Sequence, residues 1–218
     1  HNANVLLPGR GSWFVLGAVV TDAPLPTSEP VDDGCGTCRR CLDGCPTGAI
    51  VEPGVVDARR CLAWLVQAPG SIPREFRAAL GGRLYGCDDC QEVCPVGRSD
   101  RMADGTDDPS ADVEAAWVLR AKDDELMDRF GRWYIADRDP TYLRRNALVA
   151  LGNTATGEDR AVAGLLEVYL ASDDSILRSH AVWAADRLGR PDLLDGLDAG
   201  GDLLVAEELA AVRDRVEA

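Results

Sequence analysis

Hydrophobic and polar positions follow two different rhythms along this chain, and the change comes at the Asp-rich stretch "RSDRMADGTDDPSAD" of residues 98–112. Before it the apolar segments are short. "WFVLGAVV" at 13–20 suits a buried strand. "VVDARRCLAWLV" at 55–66 predicts a helix capped by Asp57, with Cys61 in its first turn, Leu62, Leu65 and Val66 on its apolar face, and Trp64 in the core. "PREFRAALGG" at 73–82 predicts a short helix closed by glycine.

After the Asp-rich stretch the period is helical throughout, and a repeat stands out. "YLRRNALVALGN" carries Arg144, Ala147 and Ala150; "ILRSHAVWAADRLG" carries Arg178, Ala181 and Ala184. Both read R-x-x-A-x-x-A, 34 residues apart, each with an Asp before it and a glycine after it. Small residues at i, i+3 and i+6 let helices approach closely, and an Arg–Asp pair commonly ties one helix pair to the next. The pattern predicts a short HEAT-like stack, an architecture that usually offers a binding surface. Arg144 is expected in a structural ion pair. Arg145, one step round the helix, is the candidate for phosphate, which arginine grips bidentately.

Charge narrows the partners. The chain has 37 acidic and 23 basic residues, a formal net charge of −14, which opposes nucleic-acid binding unless a basic patch is built locally. Lys122 is the sole lysine, so such a patch would be of arginine. No apolar run approaches the roughly 20 residues of a membrane helix, and no basic-then-apolar leader opens the sequence. The chain begins with His rather than Met, beside an apolar segment, and is expected to be cut from something longer.

Eight cysteines, all between 35 and 94, carry the chemistry. A disulfide scaffold would spread them, whereas clustered C-x-x-C pairs point to metal. Cys35, Cys38, Cys41 and Cys45-Pro46 read C-x2-C-x2-C-x3-C-P, the spacing of bacterial two-cluster ferredoxins, whose fourth cysteine serves the other cluster. Three thiolates in one loop can take three corners of an iron–sulfur cube, and the proline then turns the chain away. Aligned on its own Cys-Pro, the second set places Cys94, Cys90 and Cys87 opposite Cys45, Cys41 and Cys38, but Leu84 opposite Cys35. Cys61 is the cysteine left to fill the gap. The predicted sets are therefore Cys35, Cys38, Cys41 with Cys94, and Cys45, Cys61, Cys87 with Cys90, each holding a [4Fe–4S] cluster. Zinc also suits paired C-x-x-C, but it leaves the triple spacing and both Cys-Pro endings unexplained. No histidine lies between 35 and 94, which excludes Rieske-type ligation. The expected fold is α+β and mostly helical, a dicluster ferredoxin-like module followed by an all-α HEAT-like repeat.

"GSWFVLG", "CGTCRRCLDGCPTGAI", "RCLAWL", "GRLYGCDDCQEVCPVGR" and "RRNALVALGN", in that order and spacing, resemble the epoxyqueuosine reductase family. The resemblance implies a cobalamin-dependent oxidoreductase that removes the epoxide oxygen of epoxyqueuosine in the tRNA anticodon loop. Electrons from a low-potential donor would pass through the two clusters, and the helical domain would help to hold tRNA through Arg144 and Arg145. It also implies a cytoplasmic monomer with three parts: 1–33 from a cobalamin-binding α/β domain, 34–105 the cluster domain and 106–218 the helical repeat. Cobalamin contacts would come from His1, Asn4, Leu7, Ala18, Ala63, Asp88 and Asp89, with no catalytic residue in this chain. Two other readings stay open at this point: a dehalogenase-like cobalamin enzyme, and a plain two-cluster electron-transfer protein.

Overall fold

The computed structural model describes residues 2–7, 10–31, 34–97 and 112–217. His1 and the Asp-rich stretch up to 111 lie outside the described residues. Two compact units emerge, and their boundaries differ from those expected at 33/34 and 105/106. The first comprises His1–Cys61 with Asp88–Pro109; the second comprises Leu62–Cys87 with Ser110–Ala218.

The first unit is built of short pieces. Helix α1 (Arg40–Asp43) leads to a hairpin of β1 (Ile50–Glu52) and β2 (Val55–Val56), antiparallel with Ile50 opposite Val56. Gly54, at φ +80°, makes the turn that a side chain would strain. The carboxylate of Asp57 accepts the Arg59 N–H at 3.1 Å and so caps the 3-10 turn Ala58–Arg60. Cys61 closes that turn rather than opening the next helix. Helix α4 (Asp89–Glu92) and a 3-10 turn at Pro95–Gly97 complete the unit.

Residues 13–20 do not form the expected buried strand. Val15 is 98% exposed and Val20 99%, because among the described residues no neighbour pairs with this backbone in a sheet. Apolar composition alone supplies no hydrogen-bonding partner.

In the second unit, α2 (Leu62–Leu65) and α3 (Arg74–Leu80) join the C-terminal helices α5 (Ala115–Arg120), α6 (Asp123–Phe130), α7 (Thr141–Thr154), α8 (Arg160–Leu170), α9 (Ser175–Arg187) and α10 (Leu203–Glu217). Leu62, Leu65, Val66, Ile72, Leu80 and Leu84 are buried in one core with Leu143, Leu148 and Trp183, which is why 62–87 segregates with the helical repeat. Trp64, expected in this core, is 47% exposed; α2 is a single turn and turns its Leu62–Leu65 side inward.

The repeat is realised as α7 and α9. Ala147, Ala150, Ala181 and Ala184 are all buried, and a Cβ on Gly152 would lie 2.8 Å from the Trp183 ring and 3.0 Å from the Ala184 backbone. The small residues therefore serve close approach, as expected. The preceding Asp residues cap the chain instead of pairing with arginine: Asp174 accepts the Leu177 N–H at 2.9 Å, and Asp139 accepts that of Thr141 at 2.9 Å.

Candidate metal centre

The two cysteine motifs fold alike. Each places the cysteine before its Cys-Pro, Cys41 or Cys90, second in a single-turn helix, after a residue of matching backbone angles: Arg39 at φ −120°, ψ 10° and Asp88 at φ −115°, ψ 8°. The residues that follow these helices also match, Gly44 at φ −83°, ψ −4° and Val93 at φ −81°, ψ −7°. Cys45 then donates its N–H to the Leu42 carbonyl at 3.4 Å, and Cys94 to that of the equivalent Gln91 at 3.0 Å. From Arg39 to Cys45 and from Asp88 to Cys94 the backbone thus follows the sequence alignment.

Within the first unit, Cys35, Cys38, Cys41 and Cys94 line one cleft of about 410 Å³, with Arg40 and the backbone of the Pro53-Gly54 turn. This is the first predicted ligand set. Among the described residues no three Cys, His, Asp or Glu side chains are gathered as for one metal ion; these thiols stand around a shared space. Cys38 is exposed and Cys41 buried. Burial pushes the Cys41 thiol up, an effect its own backbone N–H offsets in part. The donor set, four thiols and no imidazole, fits a [4Fe–4S] cluster.

The Cys45 thiol sits differently. The Ala49 N–H donates to its Sγ at 3.2 Å, and the Thr47 hydroxyl lies 3.7 Å away. Burial alone would raise this thiol, but the N–H groups of Thr47, Ala49 and Ile50 act against it, and the thiol lies below its ordinary range. Donors aimed at a thiolate suit a ligand. Cys61, Cys87 and Cys90 are half-buried; Cys61 and Cys90 belong to the first unit with Cys45, and Cys87 is the residue at which the second unit hands the chain back.

Polar contacts that spacing could not foretell fix the α4 region. Asn2 Nδ2 donates to the Cys90 carbonyl at 3.1 Å, and Gln91 Nε2 donates to the carbonyl and hydroxyl of Ser12, both at 3.0 Å. Thr47 and Arg60, likewise unforeseen, bond each other; a threonine two residues past a cysteine carries no motif signal.

The expected cobalamin contacts do not gather into one pocket among the described residues. Asn4 lines the cleft of the first cysteine set, Leu7 bridges to Gly11, Ala18 and Asp88 are exposed, Asp89 is half-buried, and Ala63 belongs to the other unit. His1 lies outside the described residues.

The arginine assignments are reversed in part. Arg145, expected to meet phosphate, is fully buried. Its guanidinium donates to the carbonyls of Leu65 at 3.0 Å, Val66 at 3.2 Å, Ala68 at 2.7 Å and Gly70, and to Asn146 Oδ1. Burial lowers it to about 10, so it stays charged at neutral pH. It is a tie inside the helical unit and offers nothing to RNA. Arg144 does make the expected ion pair, with Asp123 at 2.6 Å, and also donates to the Ala121 carbonyl at 2.8 Å. Arg178 donates to the carbonyls of Leu170 and Asp198 at 3.0 and 2.6 Å.

Comparison with known proteins joins these features. The 4Fe-4S double cluster binding domain family matches residues 34–97. An epoxyqueuosine reductase of Xanthomonas campestris is 40% identical over 189 residues, 83% of this chain and 52% of the relative. The solved epoxyqueuosine reductase of Streptococcus thermophilus superposes with a TM-score of 0.82 at 31% identity, over 100% of this chain and 60% of that one. Another, solved with an epoxyqueuosine-modified tRNA-Tyr stem loop, gives a TM-score of 0.79 at 30% identity, over 96% of this chain and 59% of that one. The chain spans about half the length of the curated epoxyqueuosine reductases it matches. On this shared sequence and fold, the chain belongs to the epoxyqueuosine reductase family.

Proposed function

We propose that this chain is the electron-relay portion of a cobalamin-dependent reductase that converts epoxyqueuosine to queuosine in tRNA. The observation that supports the reading is the cleft lined by Cys35, Cys38 and Cys41 of one motif and Cys94 of the other, as crossed ligation in a dicluster module would require. Cys45, Cys61, Cys87 and Cys90 make the second set. Bound clusters would supply one-electron transfer; the chain's own part is to hold eight thiolates at fixed spacing and to direct N–H groups at Cys45. Electrons would enter from a low-potential donor. Cobalamin would be held mostly by the part of the relatives that this chain does not span. The tRNA reading rests on the relatives, one of which was solved with an epoxyqueuosine-modified stem loop. Arg145 has no part in it, because its guanidinium is enclosed.

Anaerobic reconstitution tests the reading. It should give about eight irons and eight sulfides per chain, and Cys45→Ala should disturb the same cluster as Cys90→Ala. About two zincs per chain with no visible absorption overturns it.

A further inference from the structure

Cys61 is the predicted ligand that no motif places, and its position comes from a reciprocal bond to the Cys45 turn. The Thr47 hydroxyl donates to the Arg60 carbonyl at 2.6 Å, and the Arg60 guanidinium donates to the Thr47 carbonyl at 2.8 Å. The two bonds run in opposite senses between the same residues, one of them two places after Cys45 and the other immediately before Cys61. Neither end can drift without breaking both. Thr47 is buried, so a lost partner there would leave a polar group unpaired. Gly48, at φ +58°, leaves the space the arginine needs: a Cβ there would lie 3.2 Å from its guanidinium.

The single hydroxyl proton of Thr47 separates two roles it could have. The Arg60 carbonyl holds that proton at 2.6 Å, whereas Cys45 Sγ is 3.7 Å away and takes its hydrogen bond from the Ala49 N–H. Thr47 thus governs the spacing of Cys45 and Cys61 rather than acting as donor to the sulfur.

We propose that Thr47 and Arg60 are positioning residues for the second cluster, their reciprocal bond keeping Cys45 and Cys61 as neighbouring ligands in place of the motif spacing that Cys61 lacks. The proposal rests on the dicluster reading above. Outer contacts of this kind orient ligands at metal sites generally.

The test is anaerobic reconstitution of the chain and its Thr47→Val, Thr47→Ser and Arg60→Met variants, with iron analysis, EPR and redox titration. Cys45→Ala identifies which signal belongs to the second cluster. Thr47→Val should lose that cluster, keeping about four of about eight irons, while the first cluster's signal and midpoint potential stay unchanged. Thr47→Ser, which retains the hydroxyl, should restore it. Arg60→Met should move the second midpoint potential alone. If Thr47→Val and Arg60→Met keep both clusters at unchanged potentials, or lose both together, the proposal is overturned. A wild-type chain that takes up no iron defeats the dicluster reading itself, a result distinct from eight irons in wild type beside an unaltered Thr47→Val.

Discussion

Gly44 and Val93 hold the same place in the two motif copies and lie against each other: a Cβ on Gly44 would stand 2.9 Å from Val93 Cγ2 and 3.0 Å from Cγ1. The copies therefore meet across a local two-fold, one contributing a side chain and the other the space for it. Gly44 has ordinary helical angles, so the need for glycine is steric rather than conformational. Gly44→Ala should lower stability by about 1–3 kcal/mol in urea unfolding. Val93→Ala in the same chain should recover most of that loss; a double variant no better than Gly44→Ala would rule out the steric account.

Cys61→Ser should damage one cluster and leave the other spectroscopically intact, although Cys61 stands outside both motifs. Iron content and EPR of the reconstituted variant check this. A full complement of iron in Cys61→Ser would make the residue a half-buried thiol with no ligand role.

The burial of Arg145 inverts the ranking its sequence position suggested. Arg145→Ala should cost about 3–5 kcal/mol, since it strips a buried charge from four main-chain carbonyls. Arg144→Ala should cost about 1 kcal/mol, because its partner Asp123 is exposed and water screens the pair. Urea unfolding of both variants decides the order, and equal costs would refute it.

His180 gives the helical unit an acid sensitivity. It is fully buried, accepts the Ile72 N–H at Nε2 at 3.2 Å and sets Nδ1 2.7 Å from the Ile176 carbonyl, an arrangement for the neutral ring. Burial first, then the charge of Arg77, hold its pKa well below the ordinary value of 6.5. The unfolded chain therefore binds a proton that the folded one refuses. Stability from this group is complete above about pH 6.5 and falls as pH drops below it, by at most about 1.4 kcal/mol per pH unit. Unfolding free energy between about pH 7 and about pH 5 should decline less in His180→Gln than in wild type. An unchanged slope would assign the decline to other groups.

The cysteine spacing disclosed more of this molecule than its apolar pattern did. The likeness of the two cysteine motifs was legible because Cys-Pro endings and C-x-x-C spacings are local constraints on backbone, and the structure repeats them as matching turns. The R-x-x-A-x-x-A repeat was legible for the same reason, since small residues at helical spacing mean close packing wherever they occur. The role of Arg145 was not. Adjacent helical positions point about 100° apart, and which of them faces inward depends on the loop Leu65–Gly70, far away in sequence. Trp64 and residues 13–20 misled in the opposite direction, because hydrophobicity states a preference for cover without naming what covers it.

The excursion Leu62–Cys87 has a consequence for how the protein is made. Its leucines are buried with α7 and α9, and Arg77, itself buried, forms an ion pair with Glu208 of the last helix at 2.7 Å, out of line for a hydrogen bond. A ribosome synthesises the cysteines first and this cover last, so every cysteine has emerged while the segment between Cys61 and Cys87 is still bare. That segment is thereby covered only once the C-terminal helices are complete. A message cut short within the Asp-rich stretch would encode all eight thiols, yet its product would leave Leu62, Leu80 and Leu84 facing water, and Arg145 would not exist to gather the chain that follows Cys61.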